Sequence, residues 1–136
     1  MCLRGRGQIA FVGSIAAVRG LPHSPAYCAT KAAVHAYAEA LRGGLTPQGV
    51  QVSLIIPGFV STAFNEDLVG PKPLIMSDSR AAQIIRRGLE RRAPVIAFPR
   101  ILYFGAHLLR LLPARWADFW LNRLEVDVSE TTERAA

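Results

Sequence analysis

A tyrosine, a lysine and a serine are spaced in a way that would support proton exchange at a substrate oxygen. Tyr27 and Lys31 are four positions apart, and Ser14 precedes the tyrosine by thirteen. On a helix, residues i and i+4 lie on one face, one turn apart. A phenol titrates near pH ~10, and an adjacent ammonium favours the phenolate. A serine hydroxyl from another element could then hold the substrate oxygen while the phenol exchanges its proton.

Two predicted strands would end beside these residues. Residues 8–13 form an apolar run bounded by glycines, as in a buried parallel strand, and Ser14 falls at its carboxyl end. Doubly wound α/β sheets place their ligands at that edge. Residues 50–56 predict a second buried strand, which Pro57 and Gly58 end. This pair would let a ligand approach the backbone closely, with an ordinary turn as the alternative. The alternative for Ser14 is a turn or cap serine.

A predicted helix would carry the tyrosine and the lysine. Ser24 as a cap and Pro25 at the first helical position predict its start. We predict that it reaches about Leu41 and is stopped by Gly43 and Gly44. One face carries small residues that we expect to pack on the sheet: Ala29, Ala32, Ala33, Ala36 and Ala40.

Three motifs in this order resemble the C-terminal half of a short-chain dehydrogenase/reductase. They are the strand ending at Ser14, the segment 25–33, and the strand 50–56 with the turn 57–62 after it. The resemblance implies the α/β class with a Rossmann-type doubly wound parallel sheet, of which about three strands with their helices are present. It also implies an NAD(P) cofactor, NAD or NADP, and hydride exchange between an alcohol and a ketone. The family's glycine-rich fingerprint would precede Ser14, so we expect an N-terminally truncated member.

The resemblance also implies a role for each candidate residue. Ser14, Tyr27 and Lys31 would be catalytic, with Tyr27 and Lys31 also binding the cofactor and Ser14 the substrate. Val60 would offer backbone groups to the carboxamide and Thr62 would contact phosphate. Two further residues would line the cofactor: Pro57 and Gly58. The resemblance further implies pairing of subunits through the helix at 26–41, and therefore a homo-oligomer.

Loops and a second helix complete the part that resembles the family, residues 7–99. His23 lies in the loop 15–26, and loops carry sites, so His23 is a candidate for substrate binding with an ordinary surface histidine as the alternative. Residues 63–76 would form a lid over the substrate, or a mobile linker. Ser77 and Asp78 predict a helix to about Arg92, and residues 94–99 predict a last strand.

The C-terminal region predicts an apolar helical segment, an amphipathic helix and a polar tail. Residues 101–112 are nearly all apolar but too few to span a bilayer, and residues 115–124 are amphipathic. The aromatic side chains of 115–124 would pack on the domain or a partner, contact a membrane surface, or line an apolar substrate. We therefore expect three units: the family-like domain 1–99, a helical extension 100–124 and a tail 125–136. The expected substrate is an apolar alcohol or carbonyl compound.

Composition excludes several classes of protein. Hydrophobic residues make up 51% of the 136-residue chain, which argues against disorder. The net charge is +6, but the arginines are spread along the chain without a nucleic-acid motif, so we expect no nucleic-acid partner. Two cysteines make no disulfide framework, and Cys28 is expected to be a buried packing residue. We find no cluster of metal ligands. The expected location is cytoplasmic, with peripheral membrane contact through 101–124 as an addition.

Three hypotheses remain open at this stage. The chain is the C-terminal part of a dehydrogenase/reductase, a non-catalytic remnant that serves as a dimerisation module, or a protein of the membrane surface. The first two differ in cofactor affinity. The third predicts binding to anionic vesicles that weakens with salt.

Overall fold

The structure, a computed structural model, describes residues 1–22, 24–61 and 74–124. Within these ranges the strands are β1 (Gly7–Val12), β2 (Val50–Pro57), β3 (Val60–Ser61), β4 (Met76–Ser77) and β5 (Val95–Phe98). The α-helices are α1 (Pro25–Leu45), α2 (Asp78–Glu90), α3 (Arg100–Leu111) and α4 (Ala114–Leu124).

A three-stranded parallel sheet forms the centre of the fold, in the order β1–β2–β5. Strand β1 pairs with β2 from Gly7 opposite Val50, and β2 pairs with β5 from Leu54 opposite Val95. A separate parallel pair joins β3 to β4. Because the main strands are parallel, their carboxyl ends meet at one edge of the sheet. The candidate residues Ser14 and Gly58 follow β1 and β2 at this edge.

Helices cover both faces of the sheet because β2 alternates between two apolar layers. Val52, Leu54 and Ile56 pack on the side of α1, around Ala38, which is fully buried. Ile55 points to the other side, where it packs with Ala81 of α2 and with β5. Successive side chains of a strand point to opposite faces, and every residue of β2 except Gln51 and Pro57 is buried, so this strand is covered on both faces. This arrangement confirms the predicted α/β, Rossmann-type fold.

Helix α1 is longer than the sequence predicts. It continues through Gly43 and Gly44 to Leu45, and the chain turns only after the 3-10 turn Thr46–Gln48, at Gly49 with a φ of 75°. A glycine in a helix costs only about 1 kcal/mol relative to alanine. Packing of Leu45 against the core cluster outweighs that cost, so the left-handed glycine ends the connection instead of the helical pair.

The alanine face of α1 does not pack on the sheet, which corrects that prediction. The predicted face is exposed, whereas α1 is anchored by Cys28, Val34, Ala38 and Leu41. Cys28 is buried, and its Sγ accepts a hydrogen bond from the Leu21 N–H at 3.3 Å. Alanine is compatible with a buried or an exposed position, so composition alone could not identify the packing face.

The two glycines inside α1 provide a stability test. An added Cβ at Gly43 or Gly44 would meet no atom within 4 Å. We expect the double variant G43A/G44A to raise the free energy of unfolding by about 1–2 kcal/mol, since each alanine gains helix propensity. Urea unfolding followed by circular dichroism measures this change.

Gly49→Ala is the matched control for these variants. Here a Cβ would collide with the Gly5 carbonyl oxygen, and the φ is positive, so the substitution should destabilise the protein. A lower free energy of unfolding in G43A/G44A would contradict the assignment of Gly43 and Gly44 to helix α1.

The C-terminal helices contact the domain through a few side chains. Tyr103 of α3 packs against the same core cluster as α1. Helix α4 buries Ala117 and Leu121, and its Asp118 forms a 2.8 Å ion pair with Arg19. The predicted aromatic face of this helix is instead about half exposed, at Trp116, Phe119 and Trp120. None of the described helices is long and apolar enough to cross a membrane.

Candidate active site

The chain segment after β1 is fixed at the carboxyl edge of the sheet. The Gly13 N–H donates to the Ile55 carbonyl at 2.8 Å, which extends the pairing with β2 by one residue. Ser14 then leaves the sheet with an extended backbone, at φ −163° and ψ 154°. The predicted position of Ser14 at the end of a parallel strand therefore agrees with the fold. The prediction that this strand is buried is wrong, because β1 lies at the edge of the described sheet and Val12 is 56% exposed.

Ser14 caps a short helix and retains a donor. Its Oγ accepts a hydrogen bond from the Ala16 N–H at 3.2 Å, at the start of the 3-10 turn Ile15–Ala17. A hydroxyl can accept and donate at the same time. Among the described residues, no acceptor takes the proton of this hydroxyl. The cap fixes the oxygen and leaves the O–H group for a substrate oxygen, so the two interpretations of Ser14 are compatible.

Lys31 links the helix to the end of β1. Its Nζ lies 5.7 Å from the centroid of the Tyr27 ring and donates to the Val12 carbonyl at 3.3 Å. Tyr27 is half-buried and shares a small apolar cluster with Leu21 and Phe59. The structure therefore places Lys31 between the tyrosine ring and the strand that leads into Ser14.

The turn after β2 is packed tightly within the protein. The Gly58 N–H donates to the Phe98 carbonyl at 2.7 Å. A Cβ at Gly58 would lie 3.0 Å from Pro99 and 3.2 Å from Ile15, so a larger residue here would need these side chains to shift by a few tenths of an ångström. The cofactor roles of Pro57, Gly58 and Val60 remain predictions, and Val60 lies in β3.

Four predicted features lie wholly or partly outside the described residues, and one of them is the polar tail at 125–136. His23, the candidate for substrate binding, and Thr62, the candidate for phosphate, are both outside them. The predicted lid at 63–76 is described only from Leu74 onward, where Met76 and Ser77 form β4.

The donors present in the described site suit the ribose and nicotinamide part of a dinucleotide. An ammonium has three N–H donors, and Lys31 uses one of them on Val12, which leaves two for vicinal hydroxyls. Tyr27 adds a phenol one helical turn away. The residues present therefore fit the half of an NAD(P) molecule that carries the reacting ring.

His35 is a residue of this site that the sequence reasoning did not single out. Its Nε2 accepts a hydrogen bond from the Ser14 N–H at 3.3 Å. Burial lowers the pKa of His35 below its usual range, with Lys31 and His107 acting in the same direction and Glu39 opposing them. Its position one turn after Lys31, on the same face of the helix, could have suggested it.

Comparisons with known proteins agree with this geometry. The family model described as short chain dehydrogenase matches residues 1–72. An uncharacterized oxidoreductase of Myxococcus xanthus is 33% identical over 124 residues, covering 91% of this chain and 49% of that protein. Human 17-beta-hydroxysteroid dehydrogenase type 1 is 43% identical over 67 residues, covering 49% of this chain and 20% of that protein. The chain thus spans half or less of the length of these relatives.

Solved structures share the fold. A short-chain dehydrogenase from Sphingobium yanoikuyae, in complex with NADPH, has a TM-score of 0.63 at 22% identity, covering 99% of this chain and 50% of that one. The bulky-bulky ketone specific alcohol dehydrogenase from Comamonas testosteroni has a TM-score of 0.62 at 22% identity, covering 98% and 49%. At this identity the likeness concerns the fold alone.

Proposed function

The chain belongs to the short-chain dehydrogenase family, and from that premise we propose that it carries the catalytic half of an NAD(P)-dependent oxidoreductase. The proposed reaction is hydride exchange between the cofactor and an alcohol or ketone. The observation that carries the proposal is the position of Lys31, which lies beside the Tyr27 ring and is bonded to the strand end that leads to Ser14.

Each of the three side chains has a distinct role in the proposed reaction. Ser14 donates its free O–H to the substrate oxygen, while Ala16 holds the serine oxygen in place. Tyr27 gives a proton to that oxygen in reduction and removes it in oxidation. The Lys31 ammonium stabilises negative charge on the tyrosine oxygen and binds the ribose. The bound nicotinamide, of NAD or NADP, supplies or accepts the hydride.

We propose an apolar substrate. The cluster of Leu21, Tyr27 and Phe59 offers an apolar surface beside the phenol. A relative with 43% identity over 67 residues is named as a 17-beta-hydroxysteroid dehydrogenase, and we propose a substrate of the same apolar kind. A panel of ketones of increasing apolar size would test this, with kcat/KM expected to rise with buried apolar area.

Cofactor titration tests the proposed function directly. We expect NADH or NADPH to bind the protein, and Lys31→Met to weaken that binding about 10- to 100-fold, the range for one charge-assisted hydrogen bond. Quenching of tryptophan fluorescence during titration measures both dissociation constants.

Arg86→Met is the matched control, since it removes an exposed positive charge that is paired with Glu90 at 3.6 Å. It should leave cofactor affinity unchanged. Equal cofactor affinity in the wild type and Lys31→Met would mean that Lys31 does not bind the cofactor. If the wild type binds neither cofactor, the protein is not a dehydrogenase in this form.

A dimerisation module is the second candidate function. The exposed face of α1 favours it, because the five alanines are exposed and Tyr37 is 59% exposed. Small side chains allow two helices to approach closely. A dimer that binds no cofactor would support this function over the enzymatic one, and analytical ultracentrifugation with the titration distinguishes the two. Peripheral membrane contact through 101–124 also remains a prediction.

A further inference from the structure

The segment that carries Ser14 is held by three hydrogen bonds from two elements. Strand β2 holds Gly13 through the Ile55 carbonyl, and α1 holds the residues on either side of it. Lys31 donates to the Val12 carbonyl, and His35, one helical turn later, accepts from the Ser14 N–H. Two successive turns of α1 therefore hold two neighbouring points of the same strand end.

The imidazole of His35 lies directly against the backbone at Gly13. A Cβ at Gly13 would collide with the Nε2 and Cδ2 atoms of His35, so a side chain at position 13 would displace the ring. Ser14 lies beyond the last β1–β2 pair, Val12 opposite Ile55, and so has no strand partner for its N–H. Backbone donors inside a protein need an acceptor, and the ring nitrogen provides it.

Only one protonation state of His35 supports this contact. To accept a hydrogen bond, Nε2 must carry no proton, so the neutral ring has its proton on Nδ1. The titratable groups that act on the ring are Lys31 and Glu39 on α1 and His107 on α3. Burial, together with the effects of His107 and Lys31, keeps the pKa of His35 below its usual range, against the opposing effect of Glu39.

We propose that His35 is a positioning residue that orients the Ser14 hydroxyl by accepting the Ser14 N–H. The inference rests on the proposed function for its catalytic meaning, but the contact itself is independent of catalysis. The bond to His35 holds the backbone of Ser14 in its extended conformation, and the Ala16 N–H holds the serine Oγ in place. When acid protonates His35, an N–H faces an N–H and the bond is lost.

Nuclear magnetic resonance of the 15N-labelled protein tests the contact without activity. We expect the His35 Nε2 to show the shift of an unprotonated acceptor at pH 7, with the proton on Nδ1. During acidification the Ser14 amide resonance should move with the same midpoint as the His35 ring, at a pH below the usual value for histidine. An Nε2-protonated ring, or a Ser14 amide that does not follow the ring, would overturn the proposal.

Two substitutions separate positioning from simple packing. His35→Leu fills the space without an acceptor, so hydrogen exchange of the Ser14 amide should become at least about fivefold faster, the factor for one hydrogen bond. His35→Gln places an acceptor oxygen near the Nε2 position and should restore slow exchange. The protection of the Ser14 amide should then no longer be lost when the pH falls below the pKa of His35. Equal exchange in the two variants would overturn the proposal. The wild-type titration remains decisive if either variant fails to fold.

Kinetics connects the contact to the proposed reaction. We expect kcat to fall on acidification through the pKa of His35 in the wild type, and at a somewhat higher pH in His107→Gln, because His107 lowers that pKa. In His35→Gln this fall should be absent. His35→Leu should lower kcat about tenfold and leave cofactor affinity unchanged. A wild type without turnover would overturn the proposed function, whereas the resonance experiment alone decides the contact. A kcat in His35→Leu equal to that of the wild type would overturn the positioning role.

Discussion

Tyr27→Phe is expected to lower kcat by about 10²–10⁴-fold while cofactor affinity remains nearly intact, because the variant loses only the proton donor of the proposed reaction. The ring keeps its place in the cluster with Leu21 and Phe59, so the fold should not change. Steady-state kinetics on the native protein, combined with a cofactor titration, measures both quantities.

Tyr37→Phe is the matched control because it makes the same change on the same helix. Tyr37 is exposed, and its ring contacts Phe11 edge-to-face with centroids 5.6 Å apart, a contact that phenylalanine retains. This control should keep full activity. If Tyr27→Phe keeps most of its kcat, Tyr27 is not the proton donor.

Leu54→Ala is expected to lower the free energy of unfolding by about 2–5 kcal/mol, since it removes buried methyl groups and leaves a cavity. Leu54 is 1% exposed at the centre of β2, in contact with the layer around Ala38. Denaturant unfolding followed by circular dichroism gives this difference.

Leu111→Ala is the control for the core substitution, because Leu111 is 82% exposed at the end of α3. Its effect should stay within about 0.5 kcal/mol. Similar losses in the two variants would mean that β2 is not the centre of the core.

The strands and the Tyr27–Lys31 pair could be predicted because their causes are local. An apolar run between glycines predicts a strand without reference to the rest of the chain, and β1 and β2 begin and end within one or two residues of the prediction. Only β2 is also buried as predicted, because β1 lies at the edge of the described sheet. The spacing of Tyr27 and Lys31 fixes their shared face. The resemblance to the family then gave the order of these elements.

The features that could not be predicted depend on contacts between distant segments. The end of α1 depends on the packing of Leu45, which outweighs two glycines. His35 gains its importance from Gly13, which is 22 positions earlier in the chain. The space at Gly58 is limited by Pro99, across the edge of the sheet. In each case the local sequence around either residue is ordinary and does not reveal the contact between them.

The ion pair between Arg19 and Asp118 bears on which part of the protein unfolds first. Within the described chain, α4 buries only Ala117 and Leu121 and otherwise depends on this pair. Asp118 is 59% exposed, so salt screens the attraction. We therefore expect helix α4 to detach before the sheet unfolds, and its release to free Arg19 in the segment that follows Ser14.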